Sequence, residues 1–336
     1  GTTIDKPTSS IIAITEAVRM GRMHPDGPKR VKIVLGGWSD YARLASAEKG
    51  AAAAKLMAKF VAHTLADGVD IDMEHLTPYN EMGKEFEGLI SFIKTLRSEL
   101  DDVAQNWAST AQAKLAGLQS WYNSMEDWKK KNVEQYYQST VNYLGEVASN
   151  PVPKLEISWC TRFNAFLPED NRWNYLYPDS DVPEKNYATD NEGKQFWSEV
   201  KDDVDTVNIM AYDAGGIKIN METVLQNFVA YSGDVNIAGK INIGFEPGEQ
   251  AAGGVWEGMD ADKQFAKYAK DNNYGGAMIW AANPNPAQQP EGSQRCPEVA
   301  EALVPILEPE YAWGAGKWTK CNSQGWWPSS EESISV

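Results

Sequence analysis

A file of carboxylic acids is the most chemically informative feature of the sequence. The segment Asp67–Glu74 reads Asp-Gly-Val-Asp-Ile-Asp-Met-Glu. Side chains alternate between the two faces of a β-strand, so Asp70, Asp72 and Glu74 share one face and apolar residues occupy the other. Burial and mutual repulsion should raise the pKa of at least one of these acids. An acid that is held partly protonated in this way can serve as a general acid.

Other interpretations of this segment fit the residues less well. A solvated acidic surface is disfavoured because apolar residues alternate with the acids. A calcium-binding loop is disfavoured because Gly68 is misplaced, and because Ile71 and Met73 are not loop residues. A metal site is a minor alternative. The sequence also lacks the GxSxG, GxxxxGK[ST] and HExxH motifs of other common active sites.

The elements that must position these acids are short strands that alternate with helices. This alternation is typical of βα units and predicts an α/β fold, and the mostly apolar strands are expected to be parallel. The predicted strands are Val31–Leu35, Gly68–Met73, Leu155–Cys160, Val204–Ala211, Lys240–Phe245 and Ala277–Ala281. The predicted helices are Ile11–Met20, Ala51–Ala66, Glu81–Leu100, Gln195–Lys201, Met221–Tyr231 and Lys263–Asp271.

The composition indicates a globular protein and restricts its partners. Among 336 residues, 31 Lys and Arg oppose 47 Asp and Glu, a formal net charge of −16. That charge repels phosphate backbones and anionic lipids, so neither nucleic acid nor a membrane is an expected partner. The 13 Trp and 14 Tyr suit a core or a sugar-binding cleft. Cys296 and Cys321, in loop-like stretches, could pair, or they could be free thiols like Cys160.

Four segments together resemble glycoside hydrolase family 18, the chitinases and endo-β-N-acetylglucosaminidases. Asp67–Glu74 resembles the DGxDxDxE signature of the family, and Val34–Trp38 is similar to the SxGG segment that ends its third barrel strand. Met210–Asp213 matches the MxYD segment that ends the sixth strand. Trp280 falls where the family places the aromatic floor of its cleft, on the eighth strand. One departure is that Val34 replaces the Ser of SxGG.

The resemblance implies a TIM (β/α)8 barrel over residues 1–307. The helical sequence at about 101–150 would be an insertion after the fourth strand, and 308–336 would be a Trp-rich tail or linker. About thirty residues precede Val31, and they have the pattern of loop and helix. We therefore expect strands one and two of the barrel to be absent from this chain. A segment outside it or a partner chain would complete the barrel.

The resemblance also implies retaining, substrate-assisted hydrolysis of β-1,4-linked N-acetylglucosamine polymers such as chitin. Glu74 would protonate the leaving oxygen, Asp72 would stabilise the oxazolinium intermediate, Asp70 would share a proton with Asp72, and Tyr212 would orient the acetamido group. The residues expected to bind the sugar are Trp280, Met210, Asp213, Gly37 and Trp38. Because the substrate supplies the nucleophile, we expect no metal and no organic cofactor. We also expect the protein to be secreted or extracellular.

Two other functions remain open at this point. One is an endo-β-N-acetylglucosaminidase that acts on N-glycans, which needs the same acetamido chemistry. The other is an inactive chitinase-like lectin or a scaffold subunit of a larger assembly. Inactive relatives typically lose the Glu or an Asp of the file, so the presence of Asp70, Asp72 and Glu74 favours catalysis. Single residues also have simpler interpretations: Tyr212 and Trp280 as core packing, and Asp213 as a turn cap.

Overall fold

A computed structural model describes residues 9–24, 29–37, 44–74, 82–150, 154–168, 191–213, 219–248, 256–280 and 292–308. Within these ranges six parallel strands form one sheet, and their order in space is their order in the chain. The strands are β1 (Ile33–Gly36), β2 (Gly68–Asp72), β3 (Glu156–Arg162), β4 (Thr206–Met210), β5 (Ile241–Phe245) and β6 (Gly276–Ile279). The helices are α1 (Ser9–Arg22), α2 (Ala47–Thr64), α3 (Met82–Gln105), α4 (Trp107–Asn123), α5 (Asp127–Ser149), α6 (Glu192–Val200), α7 (Met221–Tyr231), α8 (Met259–Asp271) and α9 (Gly292–Leu307).

The strand order distinguishes a barrel-type sheet from a doubly wound one. Parallel crossover connections are right-handed, so a chain that adds each new strand on the same side places all its helices on one face. A doubly wound sheet reverses its order and has helices on both faces. The order from β1 to β6 contains no reversal. The expected α/β fold of the barrel type is therefore confirmed, and in the described part of the chain only α1 precedes β1.

The helices cover the apolar face of the sheet. Alternate residues of the strands are buried in a single core with the helices, among them Val69, Ile71, Ile157, Val207 and Ile243. The residues between them, which face the other way, are mostly polar. This alternation of period two is why every predicted strand is present, with ends that differ from the prediction by no more than two residues.

Helix α9 was not predicted, and it changes the placement of one cysteine. Cys296, which the sequence placed in a loop-like stretch, lies in α9. Pro297 in the second turn disfavours a helix locally. However, Val299 and Leu303, four residues apart on one face, are buried, and α9 packs against α8. Tertiary packing therefore outweighs the local signal. Cys321 lies outside the described residues, so the choice between a Cys296–Cys321 pair and free thiols is not tested.

Two glycines allow the first three strands to lie close together. A Cβ on Gly68, which begins β2, would lie 1.9 Å from the Glu156 carbonyl oxygen. A Cβ on Gly36, which ends β1 with φ +114°, would lie 2.0 Å from the Asp72 carbonyl oxygen. The next residue, Gly37, donates its N–H to that same oxygen at 2.6 Å. The glycines therefore hold the ends of β1 and β2 in contact, which no larger residue would permit.

Helices α4 and α5 occupy the stretch where a helical insertion was expected. A connection of three residues joins them, and Tyr122 and Tyr137 stack across them with ring centroids 3.8 Å apart. Arg19 of α1 donates to Ser139 of α5 at 2.6 Å, which attaches the pair to the barrel. At the other end Trp128 is exposed. None of the described helices is long and apolar enough to cross a membrane.

Two ion-pair networks lie at the amino-terminal end of the sheet. Asp67 Oδ1 accepts a hydrogen bond from Arg22 at 2.5 Å, and Oδ2 accepts the Val31 N–H at 2.7 Å. Asp205 accepts hydrogen bonds from Arg97 and Lys154, and from the Ile157 N–H at 2.9 Å. All four carboxylate oxygens therefore have donors. Although Asp67 opens the acidic segment in the sequence, its role is to fasten β1 and α1.

Candidate active site

The candidate site lies where β1 to β4 end, on the polar face of the sheet. Asp70 and Asp72 occupy alternate positions of β2, and Glu74 follows two residues after Asp72. The register pairs Asp70 with Val34 on one side and with Ser158 on the other. Polar side chains on neighbouring strands thus meet the acids at the carboxyl-terminal edge, where enzymes built on parallel barrels have their active sites.

Asp70 is held by donors from two strands. Ser158 donates its hydroxyl to Asp70 Oδ1, and Asn208 Nδ2 donates to the same oxygen at 3.1 Å. Lys32 donates to the Ser158 hydroxyl at 2.9 Å, and Asn242 donates to Asn208 Oδ1 at 3.1 Å. We call these five residues the polar row. They link strands β2, β3, β4 and β5 to Lys32, the residue that precedes β1.

The environment of Asp72 favours a proton. Burial raises the pKa of Asp72 to about 6, and the negative charges of Glu74 and Asp70 act in the same direction. The Cys160 thiol hydrogen-bonds to Asp72 and the Arg162 guanidinium is nearby, and both oppose the shift. Asp72 Oδ1 is buried and has no hydrogen-bond partner among the described residues. Asp72 is therefore an acid with one buried, unpartnered oxygen and a charge that changes in the mildly acidic range.

Arg162 connects the end of β3 to Glu74. Its Nη2 atom lies 3.5 Å from the Glu74 carbonyl oxygen. The Glu74 side chain is partly exposed, and its charge raises the pKa of Asp72, so the two carboxyl groups lie within electrostatic reach. Residues 75–80 lie outside the described ranges. The acid file thus ends on a carboxylic acid that is open to solvent.

An aromatic pair lies beside the acids. Tyr212 follows β4, is 7% exposed, and stacks against Trp280 with ring centroids 6.2 Å apart and planes inclined by 20°. Trp280 follows β6, donates its backbone N–H to the Phe245 carbonyl at 3.0 Å and is 39% exposed. Burial raises the pKa of Tyr212, and the negative charge of Asp72 raises it further. Tyr212 therefore stays protonated as a donor near Asp72, and the exposure of Trp280 argues against simple core packing.

The remaining sugar-binding residues of the sequence analysis divide into described and undescribed ones. Met210 ends β4 opposite Arg162 in the register and is partly buried. Asp213 has φ +57°, a left-handed conformation that turns the chain away from the strand. A Cβ on Gly37 would lie 3.9 Å from Asp72 Oδ2, so the space beside that oxygen is open. Trp38 lies outside the described residues.

Comparisons with known proteins identify the fold. A family 18 chitinase from Pseudoalteromonas aurantia shares it with a TM-score of 0.52 and 17% sequence identity, over 90% of this chain and 83% of that one. A family 18 chitinase from Cycas revoluta, solved in complex with (GlcNAc)3, has a TM-score of 0.51 and 13% identity over 90% and 86% of the two chains. This chain has the family 18 chitinase fold. No family model matches the sequence, and no curated protein matches it.

Val34, which stands where the family 18 pattern has Ser, leaves Asp70 without a hydroxyl donor from β1. Val34 lies beside Asp70 in the register, is 57% exposed and offers no hydrogen bond. Ser158 supplies a hydroxyl to Asp70 from the opposite neighbouring strand. A hydroxyl donor to Asp70 is thus present, but it comes from β3 instead of β1. The comparisons offer no support for a partner chain that completes the barrel.

Sequence analysis missed several residues that surround the acids. Lys32, Ser158, Cys160 and Asn208 all contact Asp70, Asp72 or a neighbour of these acids. A signal was present, since Ser158 and Cys160 alternate on β3 as the acids do on β2. Within the described part of the chain, no cluster of three or more His, Cys, Asp or Glu could hold a metal ion.

Proposed function

We propose that this protein is a glycoside hydrolase that cleaves β-1,4-linked N-acetylglucosamine polymers such as chitin. The observation that carries the proposal is the environment of Asp72, a partly protonated acid with a buried oxygen available beside Glu74, Tyr212 and Trp280. The family 18 fold supports it, as does the (GlcNAc)3 complex of the Cycas revoluta enzyme. Secretion is part of the proposal, because the polymer lies outside cells.

In the first step, Glu74 donates a proton to the glycosidic oxygen as the bond to the anomeric carbon breaks. The carbonyl oxygen of the substrate's own acetamido group attacks that carbon and forms an oxazolinium ion. Glu74, now a carboxylate, then takes a proton from water, which attacks the same carbon and opens the ring. The configuration is retained, because the carbon is attacked twice. General acid and base catalysis of this kind contributes about 10²- to 10⁴-fold.

Asp72 stabilises the positive charge of the intermediate. When its carboxyl group turns toward the substrate, Asp72 can accept the acetamido N–H, whose nitrogen gains positive charge as the ring forms. Asp70 acts on Asp72 through its charge, which raises the pKa of Asp72. Asp70 thereby helps Asp72 to retain a proton until the substrate binds.

The aromatic pair positions the sugar. The Tyr212 hydroxyl donates to the acetamido carbonyl oxygen and directs it at the anomeric carbon. The partly exposed Trp280 ring offers an apolar surface to the C–H face of the same sugar. Tyr212 is in turn held by its stacking on Trp280. The two residues therefore act as a unit, and loss of either should misplace the acetamido group.

Release of the fluorophore from a fluorogenic chitobioside or chitotrioside tests this function. Glu74→Gln should lower the rate by about 100-fold or more while binding of chitotriose is retained. Glu87→Gln, at an exposed position on α3, is the matched control and should behave as wild type. A wild-type protein that binds chitotriose but releases nothing would contradict the proposal and identify a lectin. Product analysis on chitin and on an N-glycoprotein decides between chitinase and endoglycosidase action.

A further inference from the structure

A buried carboxyl group behind the site is not used by the proposed mechanism. Glu192 is the first residue of α6, and it is 4% exposed. Its Oε1 atom accepts a hydrogen bond from the Thr161 hydroxyl, and its carboxyl group also accepts the Arg162 backbone N–H. Oε2 is buried without a hydrogen-bond partner in the described ranges. A buried acid with an unmatched oxygen destabilises the fold, so its presence needs an explanation.

Glu192 holds the residues that carry the site arginine. Thr161 and Arg162 are the last two residues of β3, and their side chains point to opposite faces. Thr161 faces the helices, where it meets Glu192. Arg162 faces the site, where Nη2 approaches the Glu74 carbonyl oxygen at 3.5 Å. Glu192 therefore fixes the end of β3 from the helix-covered face of the sheet. The Arg162 guanidinium extends from this same strand end toward Glu74 and Asp72.

The charged groups around Glu192 belong to the site. Burial raises the pKa of Glu192 to about 7. The Thr161 hydrogen bond, the Arg162 guanidinium and the Arg162 N–H oppose this shift, while the negative charge of Asp72 adds to it. Arg162 also lowers the pKa of Asp72. Arg162 thus lies in the field of both acids, one on each side of the strand end.

We propose that Glu192 is a positioning residue: by holding the end of β3, it sets the place at which the Arg162 guanidinium meets Glu74 and Asp72. This inference rests on the proposed hydrolase function. While Glu192 is protonated, Arg162 is free to act on the site acids. Once Glu192 ionises, its new charge attracts the guanidinium and repels the charge of Asp72. The activity should therefore fall on the alkaline side as Glu192 loses its proton.

Two substitutions separate the hydrogen bonds of Glu192 from its charge. Glu192→Ala removes both and should lower kcat on the chitotrioside by about 10-fold or more with little change in KM, because the catalytic acid and not the sugar is misplaced. Glu192→Gln keeps an acceptor oxygen and stays neutral. It should restore kcat at pH 6 to within about 3-fold of wild type, and should shift the alkaline limb of the kcat/KM profile upward by about half a pH unit or more.

Further variants keep the test decisive. Thr161→Val removes the hydroxyl donor and should lower kcat even if Glu192→Ala does not fold. Glu199→Gln, an exposed acid on the same helix, should leave the profile unchanged. If wild type is active and Glu192→Gln and Thr161→Val both reproduce its kcat and pH profile, the positioning role is wrong and the hydrolase function stands. If wild type hydrolyses no chitotrioside, the hydrolase function fails and this role fails with it.

Discussion

The acids at the two ends of the sheet differ in whether each carboxylate oxygen is matched, that is, accepts a hydrogen bond. At the amino-terminal end, Asp67 and Asp205 have donors on every carboxylate oxygen, and an arginine contributes to each set. At the carboxyl-terminal end, Asp72 and Glu192 each have one buried oxygen that no described residue matches. Donors on both oxygens lessen the cost of burying a carboxylate, whereas a buried oxygen without a donor reduces stability. The comparison thus contrasts two acids that hold elements together with two acids at the site.

The largest expected effect follows from replacing Asp72. Asp72→Asn should lower the rate on the chitotrioside by about 100-fold or more, because the positive intermediate loses its stabilising charge. The same change should raise the free energy of unfolding at pH 7.5 by up to about 3 kcal/mol, since it removes a buried charge. Steady-state kinetics and urea denaturation measure the two effects, with the exposed Asp101→Asn as control. A loss of stability in Asp72→Asn would contradict the comparison.

The opposite outcome is expected at the amino-terminal end. Arg97→Met should lower the free energy of unfolding by about 3 kcal/mol, because the buried Asp205 loses a charged partner. The rate per folded molecule should not change. Lys94→Met, which breaks the exposed pair with Glu199, is the control and should cost less than about 1 kcal/mol. Reduced kcat in folded Arg97→Met would show that the two ends are coupled.

The pH dependence of stability should have opposite signs at Asp72 and at Asp205. The pKa of Asp72 is raised to about 6, so the folded protein keeps a proton that the unfolded chain loses. Its contribution is fully present below about pH 4 and is lost as the pH rises through about 6. The pKa of Asp205, although burial alone raises it, lies below its usual value because of Lys154, the Ile157 N–H and Arg97. Its contribution is present above about pH 4 and is lost as the pH falls through the folded pKa.

Urea denaturation between about pH 3 and pH 8 measures both slopes. Asp72→Asn should reduce the decline in stability between about pH 4 and pH 6, which Asp262 and Glu192 share because burial raises their pKa values to about 6 and about 7. Asp205→Asn should remove part of the loss at lower pH. The two single variants serve as controls for each other. A decline between pH 4 and pH 6 that is as steep in Asp72→Asn as in wild type would show that Asp72 does not carry a raised pKa.

The smallest expected effect concerns the hydroxyl donor to Asp70. Ser158→Ala should lower kcat by about 3- to 10-fold, because Asp70 loses one of its two donors. Val34→Ser alone should change kcat by less than about 2-fold, since Ser158 already supplies the hydroxyl. In the double variant, the new hydroxyl lies beside Asp70 in the register and should restore part of the loss. A double variant no better than Ser158→Ala would show that β1 cannot supply this donor.

The fold was predictable because its signals are local. Short, mostly apolar runs identified the six strands of the described sheet, and the helical patterns between them predicted helical crossovers. Helix α9 was missed because Pro297 is a local signal against a helix that distant packing overrides. Residues 309–336 lie outside the described ranges, so the expected tail stays a prediction.

Strand alternation alone predicted the site only along β2, and the family resemblance supplied Tyr212 and Trp280. Asp70, Asp72 and Glu74 share a face by simple alternation, whereas Ser158 meets Asp70 through the register of two strands that are 88 residues apart in the chain. Glu192 follows the strand end it contacts by 31 residues, across a segment that includes the undescribed residues 169–190. Such contacts depend on tertiary geometry, which the order of residue types does not contain.

The polar row also helps to specify the register of the strands. A strand that slips by one residue would turn its apolar side chains away from the helices, which is strongly disfavoured. A slip of two residues would keep the valines and isoleucines buried, so the apolar face alone penalises it weakly. It would, however, separate Ser158, Asp70, Asn208 and Asn242 from one another. The same side chains that tune the acids therefore exclude the misaligned sheets that hydrophobic burial would tolerate.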